Sequence, residues 1–408
     1  MDHYTRRQFV ATGAIGTALL AGCLSDGSDT DDGTGDENSQ RGENGSTEND
    51  GNGSEDGTDP LWTYDTGASL ATVTDGILLG REEWIEDGSG GVLALDTDSG
   101  DKLWTFGETG GYTAYTRPVV DDAIYTAFRD DAIGSGSGGL YALERDGTVR
   151  WERDTGSVYH TPQVADGTVY VGGDDGVVSA FDAVDGENYW TFELDDEDEF
   201  SRNINVETVA DGTLYATDED RLLALDATDG TLAWSYRSPS GRVRSVFVTD
   251  RVYCGLREGI VALAAGEKEW WVELDSYARL RGVTDDVVYV QVPERLYAFD
   301  PEEGDQRWDV PVEENSGVTV GEDALYTSDR KLTAYAHGGE SLWSLELDDG
   351  EVKRVTVDND VYATTEDGMY RVADGEIVSS LTAEGIRSIV RGETTYVGTR
   401  ENVAAFDL

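Results

Sequence analysis

The stretch ALDATDGTLAW, Ala224 to Trp234, is one instance of a phrase that this chain writes repeatedly. It stands complete also at Ala94, Ala180 and Ala298, and shortened at Ala142, Ala262 and Ala334. Internal repetition constrains a fold more than any single motif, because each unit must bury its apolar face against a neighbouring copy. One strand-like run marks the units: GILLG at Gly76, AIYTA at Ala123, TVYVG at Thr168, TLYAT at Thr213, RVYCG at Arg251, VVYVQ at Val287, ALYTS at Ala324, DVYAT at Asp360 and TTYVG at Thr394. Nine units follow one another at a spacing of about 34 to 48 residues.

Each unit holds four short runs with period-two alternation and turn residues between them, and no continuous helical pattern interrupts them. Four-stranded repeats of this length are the blades of a β-propeller. The expected fold is therefore all-β: a single propeller over residues 61–408, of WD40/YVTN-like architecture, with nine blades by repeat count. The chain stops at VAAFDL, after a third strand, and the missing fourth strand stands at the other end as LWTYDT, Leu61 to Thr66. A strand lent by the N-terminal end would close the ring and remove its open edges.

Within the phrase the residues read as architecture. Asp226 can accept from its own turn, and Gly230 can take a positive φ. Trp234 is an apolar plate suited to sit between blades. The matching rings are Trp62, Trp104, Trp151, Trp190, Trp270, Trp308 and Trp343, and the eighth unit carries Val378 in that place. Repetition in every unit argues for structural docking rather than one active site.

The phrase resembles the tryptophan-docking motif of the pyrroloquinoline quinone (PQQ) repeat family, over nearly all of the chain from Leu61. The best-known members have eight blades, so eight is the alternative count. The family holds quinone-dependent dehydrogenases and also non-enzymatic scaffolds, including lipoproteins of the outer-membrane assembly machinery. Its dehydrogenases characteristically use adjacent cysteines, a calcium site and a catalytic aspartate. Here the only cysteines are Cys23 and Cys254. No catalytic residue, metal set or cofactor is assigned; PQQ with calcium belongs only to the alternative reading, an extracytoplasmic PQQ-dependent oxidoreductase. The preferred reading is a non-catalytic binding or scaffold module.

The N-terminal segment is similar to a twin-arginine lipoprotein signal. TRRQFV carries paired arginines, an apolar run follows, and LAGC ends it at Cys23. The run is too short to span a bilayer as a stable helix. The resemblance implies a signal peptide over residues 1–22, lipid on Cys23, and anchorage at the extracytoplasmic face of the cell membrane. Residues 23–60 then form an acidic Gly/Ser/Asp tether, whose composition buries too little apolar surface to fold.

Charge bounds the partners. The chain carries 84 acidic and 30 basic residues, a formal net charge of −54, and only four of the basic residues are lysine. The composition resembles that of proteins from salt-loving archaea, where salt screens carboxylate repulsion. A nucleic-acid partner needs a basic footprint that this chain lacks. A monomer is expected. The candidate partner is a protein or an anionic ligand at the propeller face.

Two features point to a face for it. The long insertions Arg81–Gly91, Gly107–Arg117, Arg129–Gly139 and Asp195–Asn205 all belong to the loops that emerge where first strands begin. Variable loops on a rigid scaffold are where binding sites are built. Near the same strand starts stand Arg117, Arg244, Arg279, Arg281, Lys353, Arg354 and Arg387. The candidate ligand-binding face is Arg117, His160, Arg244, Arg279, Arg354 and Arg387, since arginine presents a planar fork to carboxylate or phosphate.

Overall fold

The first two strands of blade 4, Ile204–Ala210 and Thr213–Asp218, meet at Asp211-Gly212, both with positive φ. This is the paired left-handed turn that matches the twist of a two-residue hairpin. Asp75-Gly76 in blade 1 and Asp166-Gly167 in blade 3 repeat it. The computed structural model describes residues 59–407 except 83–90, 108–111, 115–117, 131–138, 159, 174, 195–202, 315, 348–349 and 359. Among the described residues there is no helix, and the strands form nine sheets.

Blade 4 continues with Arg221–Asp226 and Leu232–Arg237, and strand order in the sheet follows chain order. The other blades repeat this meander. In blade 2 the first strand is split into Tyr112–Ala114 and Val119–Val120, both paired with Ile124–Asp130. First strands of successive blades lie beside one another around the central axis. Antiparallel alternation then puts the starts of all first strands at one end, here called the upper face.

Blade 9 is built from both ends of the described chain. Ser388–Arg391, Thr395–Gly398 and Val403–Phe406 are completed by Trp62–Tyr64, with Trp62 opposite Ala405 and Tyr64 opposite Val403. At the axis the Leu70 amide donates to Ser388 Oγ (2.6 Å), joining blade 1 to blade 9. The ring therefore closes with nine blades rather than eight.

Packing between blades follows one scheme. Each of the eight docking tryptophans lies on the third-to-fourth-strand turn of the next blade, against its glycine. A Cβ built on Gly230 would stand 2.5 Å from the Trp190 ring, and one on Gly304 2.8 Å from Trp270. Both glycines also have positive φ, +73° and +74°. The indole N–H donates to a turn carbonyl: Trp62 to Thr97, Trp104 to Arg145, Trp151 to Ala183, Trp190 to Ala227, Trp270 to Pro301 and Trp308 to His337, at 2.8–3.0 Å. Trp234 and Trp343 meet the tighter turns Ala265-Gly266 and Asp374-Gly375 and lie on the glycine without such a bond.

The second-strand tyrosine shares the joint. Tyr125, Tyr170 and Tyr253 donate to the same carbonyls as Trp151, Trp190 and Trp270, with ring centroids about 6 Å from the indoles. Burial pushes these phenols up from their ordinary range.

Register corrects one assignment. In blades 1 to 7 the tryptophan stands opposite the alanine of the phrase, as Trp234 opposite Ala224, and the residue just before it is bulged out of the ladder. In blade 8, Ser379 stands opposite Arg371, so Val378 is the bulged residue and Ser379 takes the tryptophan's place. The bulge explains why Val378 is exposed.

Candidate functional site

The upper end of the axis is lined by the starts of the first strands, and their sequences differ from blade to blade. Blade 6 begins with Arg279–Val283. Arg279 stands opposite Gln291 and Gly282 opposite Tyr289, which leaves Arg281 in a bulge. Blade 4 has the same irregularity between Val206 and Thr208, which leaves Glu207 in a bulge. A bulge re-aims the side chain it carries, and such distortions recur beside functional sites. Arg281 and Glu207 are both half-buried.

Glu207 Oε1 accepts from Asn205 Nδ2 (2.8 Å) and Thr217 Oγ1 (2.6 Å). Burial raises its pKa, against the lowering effect of those bonds and of the Arg242 charge. Arg281 Nε donates to Gln291 Oε1 (2.7 Å), and burial, with the neighbouring Arg279 charge, brings it down to about 10. Burial disfavours each charged form, which is why the two shifts have opposite sign.

His160 precedes the first strand of blade 3, Gln163–Ala165, and is half-buried; burial and Arg242 hold its pKa low. Arg244 is exposed directly before Ser245–Val248 of blade 5. Arg244 and Arg279 both lie against Tyr277, at 5.3 and 5.4 Å from its ring centre. Arg354 begins Arg354–Val357 of blade 8, and Arg387 precedes Ser388–Arg391 of blade 9; both are exposed. Lys353 pairs with Glu351 at 2.7 Å. The structure thus brings Arg244 and Arg279 together on Tyr277, with Arg281 beside Arg279 on the same strand, and spaces His160, Arg354 and Arg387 around the same end of the ring. Arg117 and Cys23 lie outside the described residues, as do most of the four long insertions.

Sequence reasoning missed Tyr277, Gln291 and Glu207. The available signal was a charged residue breaking the alternation of a first strand, as in RLRGV and INVETVA. Cys254 is fully buried among Val252, Leu256 and Val261, and burial pushes its thiol well up. Among the described residues no cluster of three or more His, Cys, Asp or Glu side chains is grouped to hold a metal ion.

A closed ring of four-stranded blades, with seams docked by tryptophan and a mouth carrying arginine, defines a propeller of the PQQ-repeat class. A family model described as outer membrane protein assembly factor BamB matches residues 88–310 and 257–408. The chain belongs to this family. It is 26% identical over 297 residues to the outer membrane protein assembly factor BamB of Moranella endobia (strain PCIT), covering 64% of this chain and 76% of that protein. Identity to the protein of the same name from Yersinia pestis is 27% over 164 residues, 39% of this chain and 42% of the relative. Among solved structures, BamB from Moraxella catarrhalis superposes with a TM-score of 0.50 at 17% identity, covering 85% of this chain and all of that one. The quinohemoprotein alcohol dehydrogenase ADHIIG of Pseudomonas putida HK5 superposes with a TM-score of 0.52 at 14% identity, covering 86% of this chain and 76% of that one. Likeness at this level concerns the fold alone.

Proposed function

We propose that the protein is a lipid-anchored surface module that binds or scaffolds another protein without catalysing a reaction on it. The observation that carries this reading is the contrast at the upper face: arginines gathered at the mouth of a rigid closed ring, in a chain of net charge −54. A rigid ring presents its mouth without reorganisation, which lowers the entropy lost on binding. Membership of a family whose relatives are named assembly factors supports the same reading.

Residues 1–22 direct twin-arginine export, Cys23 receives lipid, and residues 23–60 hold the propeller off the extracytoplasmic face of the cell membrane as a monomer. The acidic composition suits strong salt. The face made by Arg117, His160, Arg244, Arg279, Arg354 and Arg387 takes a protein segment or other anionic ligand.

Pull-down of the tagged chain from its native membrane under high salt is the test, with the Cys23→Ser variant beside it. A specific partner and a shift of the variant to the soluble fraction are expected. Absence of any partner, together with dye reduction on addition of PQQ and calcium, would replace this reading by the oxidoreductase alternative.

A further inference from the structure

Tyr277 stands in the connection from blade 5 to blade 6, with the guanidinium groups of Arg244 and Arg279 against its ring at 5.3 and 5.4 Å. Arg281, in the bulge, is fixed from behind. Its Nε donates to Gln291 Oε1 (2.7 Å), and Gln291 Nε2 donates to the carbonyl of Ser316 at the start of blade 7 (2.8 Å). Gln291 is buried, so this bracket belongs to the scaffold rather than to the surface. The terminal nitrogens of Arg281 make no bond among the described residues.

Charge makes the arrangement incomplete as it stands. The chain has 84 carboxylates, yet none pairs with Arg244, Arg279 or Arg281 among the described residues. Elsewhere carboxylates are placed on arginine: Arg150 holds Asp122 and Glu144 at 2.7 and 2.8 Å, and Arg307 holds Asp300 at 2.8 Å. Guanidinium groups brought together in a protein wall, without a counter-ion, lose hydration and repel one another. An oxyanion relieves both.

We propose that Arg244, Arg279 and Arg281 form, around Tyr277, a cradle for the carboxylate of an acidic side chain on an extended segment of a partner protein. The proposal rests on the reading of the upper face as a protein-binding surface, and it names the subsite and the chemistry. A guanidinium lying against an aromatic ring keeps its N–H edge for a ligand, and that edge takes a carboxylate through two parallel bonds. In an acidic protein, contact hydrogen bonds rather than long-range steering must supply the binding, because the overall field repels an anion.

The test titrates the full chain, at fixed salt, with a fluorescein-labelled peptide of alternating Glu and Gly, and with its Gln counterpart. Fluorescence anisotropy reads binding. The Glu peptide should bind and the Gln peptide should not. The R279Q/R281Q variant should bind about tenfold or more weakly, the loss expected for charge-assisted hydrogen bonds. R281K keeps the charge but not the fork, and should also weaken binding. R400Q, in the exposed upper-face loop of blade 9, makes the same charge change away from the cradle and should stay within about twofold. Near-ultraviolet circular dichroism checks folding, and R244Q, at an exposed position, reads the same subsite if R281Q does not fold.

Equal binding of the two peptides, or equal loss from R400Q and the cradle variants, overturns the proposal. So does displacement of the peptide by sulfate or phosphate at concentrations where free glutamate has no effect, which would mark an inorganic oxyanion site. In the membrane pull-down, a partner captured equally by wild type and R279Q/R281Q would remove the cradle and leave the scaffold reading standing.

Discussion

The seam between blades 8 and 9 is built differently from the others. At the other seams a tryptophan lies on the turn glycine of the next blade, as Trp190 on Gly230. Blade 9 has no such turn, because its third strand ends at Phe406 and its fourth, Trp62–Tyr64, comes from the other end of the described chain. There is no turn glycine to dock on, and blade 8 has Ser379 where the tryptophan would be. Tyr362, the second-strand tyrosine of blade 8, is covered instead by the Arg391 guanidinium of blade 9, 3.8 Å from its ring centre. Met369, Leu381, Val397, Ala404 and Phe406 fill the rest of that seam. The tryptophan is therefore a partner of a hairpin turn, and where the turn is absent the ring is absent too.

Removing Leu61 to Thr66 should have the largest effect on this contrast. It strips blade 9 of its fourth strand, opens a sheet edge and deletes the Trp62 dock on Gly100. A loss above about 5 kcal/mol is expected, with broadened denaturant unfolding. An unchanged transition would mean that the seam at blade 9 does not close the ring.

Trp190→Ala should cost about 3–5 kcal/mol, as expected for a buried aromatic. Arg391→Ala at the odd seam should cost only about 0.5–2 kcal/mol, the range of a cation–π contact. Equal losses in chemical denaturation would erase the distinction between the two kinds of seam.

Gly304→Ala meets both a positive φ and the Trp270 ring, so a loss of about 1–3 kcal/mol is expected. Combined with Trp270→Ala, the loss should be smaller than the sum of the two, because the ring that collides with the new Cβ is gone. Strict additivity in a double-mutant cycle would show that the glycine serves the turn alone.

Acid should loosen the turns by the smallest increment. The Ser99 and Asp98 N–H groups and the Ser99 hydroxyl hold Asp96 below the usual carboxylate range; the Tyr189 hydroxyl and turn N–H groups do so for Asp182, and Arg307 with turn N–H groups for Asp300. A depressed carboxyl stabilises the fold above its unfolded value of about 4, and that stability is lost as pH falls through the folded value. The melting temperature should therefore drop on acidification below about pH 4. Glu207 works in the opposite direction, since its raised pKa favours the folded state as the carboxyl takes up a proton. D96N/D182N/D300N should show a shallower acid limb; an unchanged limb would place the proton uptake elsewhere.

The repeat by itself determined the class of fold, the nine units, the borrowed strand and the family resemblance. Those features rest on local alternation, on turn residues and on spacing, all of which are written along the chain. Val378 shows where that legibility ended: spacing put it in the tryptophan's place, and only the ladder register, displaced by one bulged residue, showed that Ser379 occupies it. The site was less legible still. Arg244 and Arg279 were visible as charged residues near strand starts, but Tyr277 between them and Gln291 behind Arg281 were not, because they come from a connecting loop and a second strand. Periodicity says which way a side chain points only while the ladder is regular. Glu207 and Arg281 sit where it is irregular, so their aim was decided by strand pairing in three dimensions.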